Sequence, residues 1–305
     1  MRQTPAGSGR WGDLEFVVDR PTDRCDAWIV CEGLNQTETA ICDRRRIVLV
    51  TWEPPTRGAY PRRFLEQFGA VVTCHRDLKH PHVTYTQQGL PWFVDRTYDE
   101  LTASNDVEKT KLISLVTSNK RYFKGHEQRL RFAGELKRAF GESLDLYGRG
   151  INEVDNKWDA LAPYRYSVAI ENFQGNDYIT EKLSDCFLAG CFPFYFGAPN
   201  AAAYLPADSF AYVDIRNPDE AIAMIQETVA DGSHYERHKK SVAEAKTLCL
   251  NEHNFFPMIA SFIADRLPQP RKEDIGRIEI RPEAALASRL RPIARRARRL
   301  VAGPR

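Results

Sequence analysis

The 305-residue sequence lacks several signatures that would fix its chemistry at once. No G-x-G-x-x-G stands at a strand–helix turn; the nearest string there, Gly148-Arg149-Gly150, has Glu153 where the third glycine belongs, so the dinucleotide-binding fingerprint is missing. Neither G-x-x-x-x-G-K-[ST] nor G-x-S-x-G occurs, which removes P-loop phosphoryl transfer and the nucleophile elbow of serine hydrolases. No D-x-D triplet is present, so there is no carboxylate pair of the kind that holds a divalent ion against a sugar diphosphate. Chemistry without a metal or other cofactor is therefore expected. His75, His80 and His82 lie close together, but no cysteine or carboxylate completes a metal spacing, and structural or surface roles are expected for them.

Long apolar runs are absent too. The longest, Phe187 to Ala198, spans twelve residues and contains Gly and Pro, whereas a bilayer-spanning helix needs about 20. The opening MRQTPAGSGR is basic but has no apolar segment behind it and does not read as a secretory signal. The seven cysteines are an odd number without C-x-x-C and sit in apolar runs, which suits buried thiols in a reducing compartment. A cytoplasmic location follows as the expectation.

The chain is 43% hydrophobic and 28% charged, so its length predicts two domains with substantial cores. The formal charge of +2 is an average of two unlike parts: residues 284–305 carry seven arginines (289, 291, 295, 296, 298, 299, 305) and no acid, which leaves −5 on the remainder. Such a tail suits an anionic membrane surface on the inner face; nucleic acid is disfavoured because the tail has no aromatic to stack on bases. The end of the folded body is placed near Leu267.

Within the body, β-branched runs alternate with stretches of 3.6-residue period, the pattern of parallel strands joined by helices. Ala27–Cys31, Ile47–Trp52 and Ala70–Thr73 read as strands, with a helix at Tyr60–Phe68. A polar stretch near residues 100–110 reads as a linker. Beyond it, strands are expected at Leu112–Thr117, Leu144–Tyr147, Ser167–Glu171 and Phe192–Phe196, with helices at Arg129–Phe140, Thr180–Ala189 and from Asn217, which precedes Pro218 and Glu220 as a cap, to Val229.

The chemically richest segment runs from Ala169 to Leu183, off a strand, through a polar loop and into a helix. Thr180 is a natural N-cap, so the helix opens with free N–H groups, and Lys182 stands in its first turn. The macrodipole disfavours a lysine there; an anionic partner would explain it, and a solvated face is the competing reading. Glu171-Asn172 could equally be a strand-end turn, and Tyr178 core.

The string ENFQGNDYITEKLSDCFLAGCFPFYFGAPN (171–200) is similar to the donor-binding signature of glycosyltransferase family ten, the α-1,3/1,4-fucosyltransferases, in their bacterial form. Glu171, Asn172, Tyr178, Thr180, Glu181, Lys182, Pro193 and Gly197 occupy the signature's places. Ser118-Asn119, Arg129 with the helix it opens, Ser209–Ile215 and Asp219–Ile222 extend the likeness over about 111–229, and Thr51-Trp52-Glu53 resembles the family's strand-end threonine-x-glutamate. Phe173 departs from the usual serine, and the first half is short.

The resemblance implies an α/β, GT-B-like architecture of two Rossmann-type domains facing across a cleft, with a basic helical tail: residues 1–107 on the acceptor side, 108–266 binding a GDP-sugar, and 267–305 the tail. It implies an inverting, metal-independent transfer of fucose from GDP-fucose to a glycan hydroxyl. Another GDP-sugar, or a non-catalytic nucleotide- or sugar-binding role, is the alternative. Arg129, Tyr178, Glu181 and Lys182 would hold the GDP moiety, with Ser118, Asn119, Glu171, Asn172 and Thr180 around them. Arg129 and Lys182 would neutralise the departing diphosphate. Glu53 is assigned as the general base that takes the acceptor's proton. A surface glutamate before the Pro54-Pro55 turn is the competing reading, and Asp13, Glu15 and Glu32 are alternative carboxylates.

Overall fold

The computed structural model describes residues 1–89, 91–103, 107–119 and 124–286. In chain order its regular elements begin with a small hairpin, β1 (Arg10–Trp11) and β2 (Leu14–Glu15). There follow β3 (Trp28–Cys31), β4 (Glu38–Asp43), β5 (Ile47–Val50), α1 (Arg62–Leu65), β6 (Ala70–Thr73), β7 (Val83–Tyr85) and α2 (Tyr98–Ala103). The next series is β8 (Lys111–Val116), α3 (Lys124–Phe140), β9 (Leu144–Tyr147), β10 (Tyr164–Ile170), α4 (Glu181–Leu188), β11 (Phe192–Phe196) and β12 (Ala211–Tyr212). The described chain closes with α5 (Pro218–Ala230), α6 (His234–Leu248), α7 (Phe255–Arg266), β13 (Ile275–Ile280) and α8 (Glu283–Leu286).

Two all-parallel sheets organise these elements. The first has the order β3-β5-β6-β7 and is buried on both sides, which is why β5 is apolar throughout. The two-residue period divides it: Ile47 and Leu49 pack with Phe64, Leu65 and Val71, while Val48 and Val50 pack with Ala70, Val72, Ile259 and Phe262. The second sheet has the order β9-β8-β10-β11-β12. In chain order this is the 2-1-3-4-5 winding, whose direction reverses between its first and third strands, here β8 and β10. It carries the largest core, with Phe132, Tyr166, Phe187 and Phe194 among its buried rings.

The halves exchange segments, and this corrects the expected boundaries. Trp92, Val94 and Leu101 belong to the second core, so the crossing precedes the polar stretch near residues 100–110. Helix α7 returns to the first half, where Ile259 and Phe262 cover one face of its sheet. The body does not stop near Leu267: β13 pairs antiparallel with β4, from Ile275 opposite Asp43 to Ile280 opposite Glu38. Asp43 fastens the return by accepting from Arg271 N at 3.0 Å and from Arg45 Nη2 at 2.7 Å. Arg57, stacked 4.0 Å over the Tyr60 ring, pairs with Glu283 at 2.6 Å. The seven tail arginines lie outside the described residues, so the expected helical tail and its membrane contact do too. Among the described residues no helix is long and apolar enough to cross a membrane.

Candidate active site

Open parallel sheets bind ligands outside the carboxyl ends of their strands, at the point where the winding reverses. Here that point is flanked by Ser118 and Asn119 after β8 and by Glu171 and Asn172 after β10. Arg129 on α3 and the first turn of α4 lean over the same crevice. Seven of the nine donor-site residues named from the sequence are joined there by contacts.

Glu171 is the hub. It is buried, and its Oε1 accepts from Thr180 N and Thr180 Oγ1, both at 2.8 Å. Lys182 Nζ lies 3.2 Å from Glu171 Oε2, 2.9 Å from Thr180 Oγ1 and 3.3 Å from Glu181 Oε1. Thr180 caps α4 as expected, accepting from Lys182 N at 3.3 Å. The lysine in the first turn thus has its explanation within the protein: two carboxylates offset the helix dipole. Burial pushes the Glu171 carboxyl up against the pull of Lys182. Burial acts on Glu181 in the same direction, but Lys182 and Lys157 override it and hold Glu181 below the usual carboxylate range.

Arg129 is 4% exposed and reaches Asn172 Oδ1 through Nη1 at 2.5 Å. Its Nη2 lies 3.4 Å from both Ser118 O and Ser118 Oγ, and its buried Nε has no partner among the described residues. Burial lowers the affinity of the guanidinium for its proton, and Glu171 and Glu181 oppose that shift. A buried cation with one unspent donor is equipped to take an anionic ligand. Gly125 lets α3 approach, since a Cβ there would stand 2.3 Å from Asn172 O. Gly197, noted in the signature, does the same for the hub, where a Cβ would meet Glu171 Cγ at 2.6 Å.

The other two donor-site residues are placed differently. Asn119 packs against Gly150 of the Gly148-Arg149-Gly150 turn and donates from its backbone to Arg149 O at 3.1 Å. Tyr178 is buried, with the Phe173 ring edge-on at 5.7 Å. Its hydroxyl is pushed up by burial, then by Glu171, Glu181 and Glu53.

Glu53 itself is exposed. Its backbone is fixed from two sides: its N–H donates to Glu32 Oε2 at 3.0 Å, and its carbonyl lies 2.8 Å from His75 Nε2. The alternative carboxylates are otherwise engaged or remote. Glu32 also accepts from Trp52 N at 2.7 Å and Tyr60 OH at 2.8 Å, so it builds the loop that presents Glu53. Glu15 pairs with Arg10 at 3.0 Å on the surface, and Asp13 is exposed in the same hairpin. His80 lies 3.1 Å from Phe68 O, and among the described residues no three His, Cys, Asp or Glu side chains gather to hold a metal ion.

Sequence reasoning missed two clusters. Asp185, fully buried one turn beyond Glu181, accepts from Lys157 Nζ at 2.6 Å and from Phe93 N at 3.0 Å. An acid on the inward face of an otherwise apolar helix was a readable signal; Lys157 had none. Asp177, at φ 66°, is 2% exposed and receives Asn200 Nδ2 and Tyr204 OH, both at 2.7 Å, together with Arg76 of the first half.

Comparison with known proteins bears on the same region. The model of glycosyltransferase family 10 (fucosyltransferase), C-terminal part, matches residues 107–257. The human 4-galactosyl-N-acetylglucosaminide 3-alpha-L-fucosyltransferase 9 is 31% identical over 133 residues, 42% of this chain and 36% of the relative. The alpha-(1,3)-fucosyltransferase FucT of Helicobacter pylori is 39% identical over 74 residues, 24% of this chain and 16% of the relative. The matches therefore span about a third of the mammalian relative and less of the bacterial one. Among solved structures, an alpha1,3-fucosyltransferase with GDP-fucose aligns at a TM-score of 0.48 and 18% identity, covering 78% of this chain and 80% of that one. The matched residues contain the switch-point crevice, from Ser118 to Lys182, and this part of the chain, residues 107–257, is a glycosyltransferase family 10 (fucosyltransferase) domain.

Proposed function

We propose that the protein is an inverting, metal-independent fucosyltransferase that moves fucose from GDP-fucose to a hydroxyl of a glycan. The observation that carries this reading is the convergence of Arg129, with its unspent buried Nε, and Lys182 on one crevice at the switch point of the second sheet. The diphosphate is bound between these two cations. Glu181, held ionised by Lys182 and Lys157, accepts from donor hydroxyls.

In the transfer, Glu53 takes the proton of the acceptor hydroxyl as that oxygen bonds to the anomeric carbon of the fucose. The bond from that carbon to the β-phosphate oxygen breaks on the opposite face, and its electron pair leaves with GDP. Charge grows on the β-phosphate in the transition state, where fixed cations in a dry site act most strongly. Glu53 is exposed and therefore open to an incoming acceptor.

Incubation with GDP-fucose and a panel of glycans in EDTA should release GDP, and GDP should raise the melting temperature more than UDP or ADP. Absence of both effects overturns the reading. Competition between GDP-fucose and other GDP-sugars identifies the donor.

A further inference from the structure

The link from β6 to β7, residues 74–82, contains no helix. Parallel neighbours are ordinarily joined by a dozen or more residues that lay a helix on the sheet. Where that helix would lie there is a groove of about 780 Å³ between α1 and the link. Small-molecule sites run to about 300–1,000 Å³.

The groove has an amphipathic character. Leu65, Leu78 and Val83 give it an apolar base beside the rings of Tyr60 and Tyr85. Its rim carries Asp77 and Lys79, both exposed, and the Arg62–Glu66 pair, closed on itself at 2.7 Å. The charges cancel. An anionic ligand would call for a basic field, whereas mixed donors and acceptors over aromatic and aliphatic surface suit an uncharged polyhydroxyl chain.

The groove also runs to the chemistry. His75 lines it and contacts the Glu53 carbonyl at 2.8 Å. The next residue, Arg76, crosses to Asp177, immediately before Tyr178. A chain lying in the groove therefore ends beside the base and opposite the donor crevice. We infer that this groove is the subsite for the part of the acceptor beyond the reacting sugar, and that it takes a neutral oligosaccharide. The inference rests on the transferase reading above.

Two probes test it: β-1,4-galactosyl-N-acetylglucosamine, and a hexasaccharide made of three such units. The expected result is a kcat/KM at least tenfold higher for the hexasaccharide. Lys79→Trp, which fills the groove from its exposed rim, should abolish that advantage and leave the disaccharide and the KM for GDP-fucose unchanged. Asp77→Arg should reduce the advantage in the same selective way. Equal wild-type constants for the two probes, or a loss in Lys79→Trp shared by the disaccharide, would overturn the inference. If neither probe is turned over, the transferase reading fails for this acceptor class. Saturation-transfer NMR of the hexasaccharide on the GDP-loaded protein then decides the groove alone: saturation lost in Lys79→Trp supports it, and no saturation in the wild type overturns it.

Discussion

The two halves solve the same architectural problem with opposite investments. The second half places its charges inside: Glu171, Lys182, Arg129, Lys157 and Asp185 are buried or nearly so, each held by another of the group or by its immediate neighbours. The first half keeps its candidate base exposed and spends its buried polar contacts on the backbone around it, through Glu32 and His75. On the proposed reading, the difference follows from what each half would meet. A nucleotide diphosphate is a fixed, highly charged object that repays a preorganised, desolvated cluster. An acceptor hydroxyl arrives neutral and needs one reachable carboxylate and a wall that orients it.

Substitutions can break that contrast. The largest effect is expected at Glu53. Glu53→Ala should reduce transfer by about 10²–10⁴-fold, the typical contribution of a positioned base, with GDP affinity intact by calorimetry. Full activity in that variant would return the base role to another group. Next comes Lys182→Ala, which leaves Glu171 and Glu181 without their shared cation. Breaking a buried pair this way costs roughly 3–5 kcal/mol of stability, readable by denaturant titration, and GDP binding should weaken with it. Arg129→Ala should weaken GDP binding as well, while the acceptor KM stays near the wild-type value.

The exchange of segments is tested at Ile259, in the helix that returns to cover the first sheet. Ile259→Ala should cost about 2–5 kcal/mol, as large-to-small core changes do, and the loss should show in the stability of the first half. A smaller, pH-dependent effect is expected at Asp43. Burial works against its ionisation, but bonds from Arg45 and from Arg271 N hold its carboxyl below the usual range. Its contribution is therefore present above the ordinary carboxylate value and is lost as pH falls through the lower native value. Asp43→Asn should flatten the acid limb of the melting-temperature profile; an unchanged limb would assign the acid sensitivity elsewhere. The smallest effect belongs to Arg76→Ala, whose exposed side is worth about 0–1 kcal/mol. It should leave stability nearly unchanged and raise the KM for the donor, because Asp177 loses its partner from the first half.

The elements that were legible are those whose information is local. Ala70–Thr73, Leu144–Tyr147 and Phe192–Phe196 match their expected bounds because each is a short run whose strand-forming residues mark it locally. The helix expected over Tyr60–Phe68 shortens to Arg62–Leu65, and Asn217 holds the cap position of α5 without a side-chain cap bond. In both cases neighbouring structure overrode a local preference. β13 did carry a period-two signal, Ile278 and Ile280 around Glu279, yet its partner β4 lies more than 200 residues earlier. Periodicity can announce a strand but cannot name what it pairs with.

The sequence by itself determined the family resemblance, the α/β alternation and the signature string from Glu171 to Lys182, because residue types at fixed spacings are a local property of the chain. Only the tertiary structure decided that Arg129 comes to Asn172, that Asp177 is gripped from both halves, that α7 and β13 complete the first domain, and that a missing crossover helix leaves a groove beside Glu53. These are contacts between residues far apart along the chain. They depend on how the two sheets are wound and where their ends meet, which no local pattern of side chains encodes.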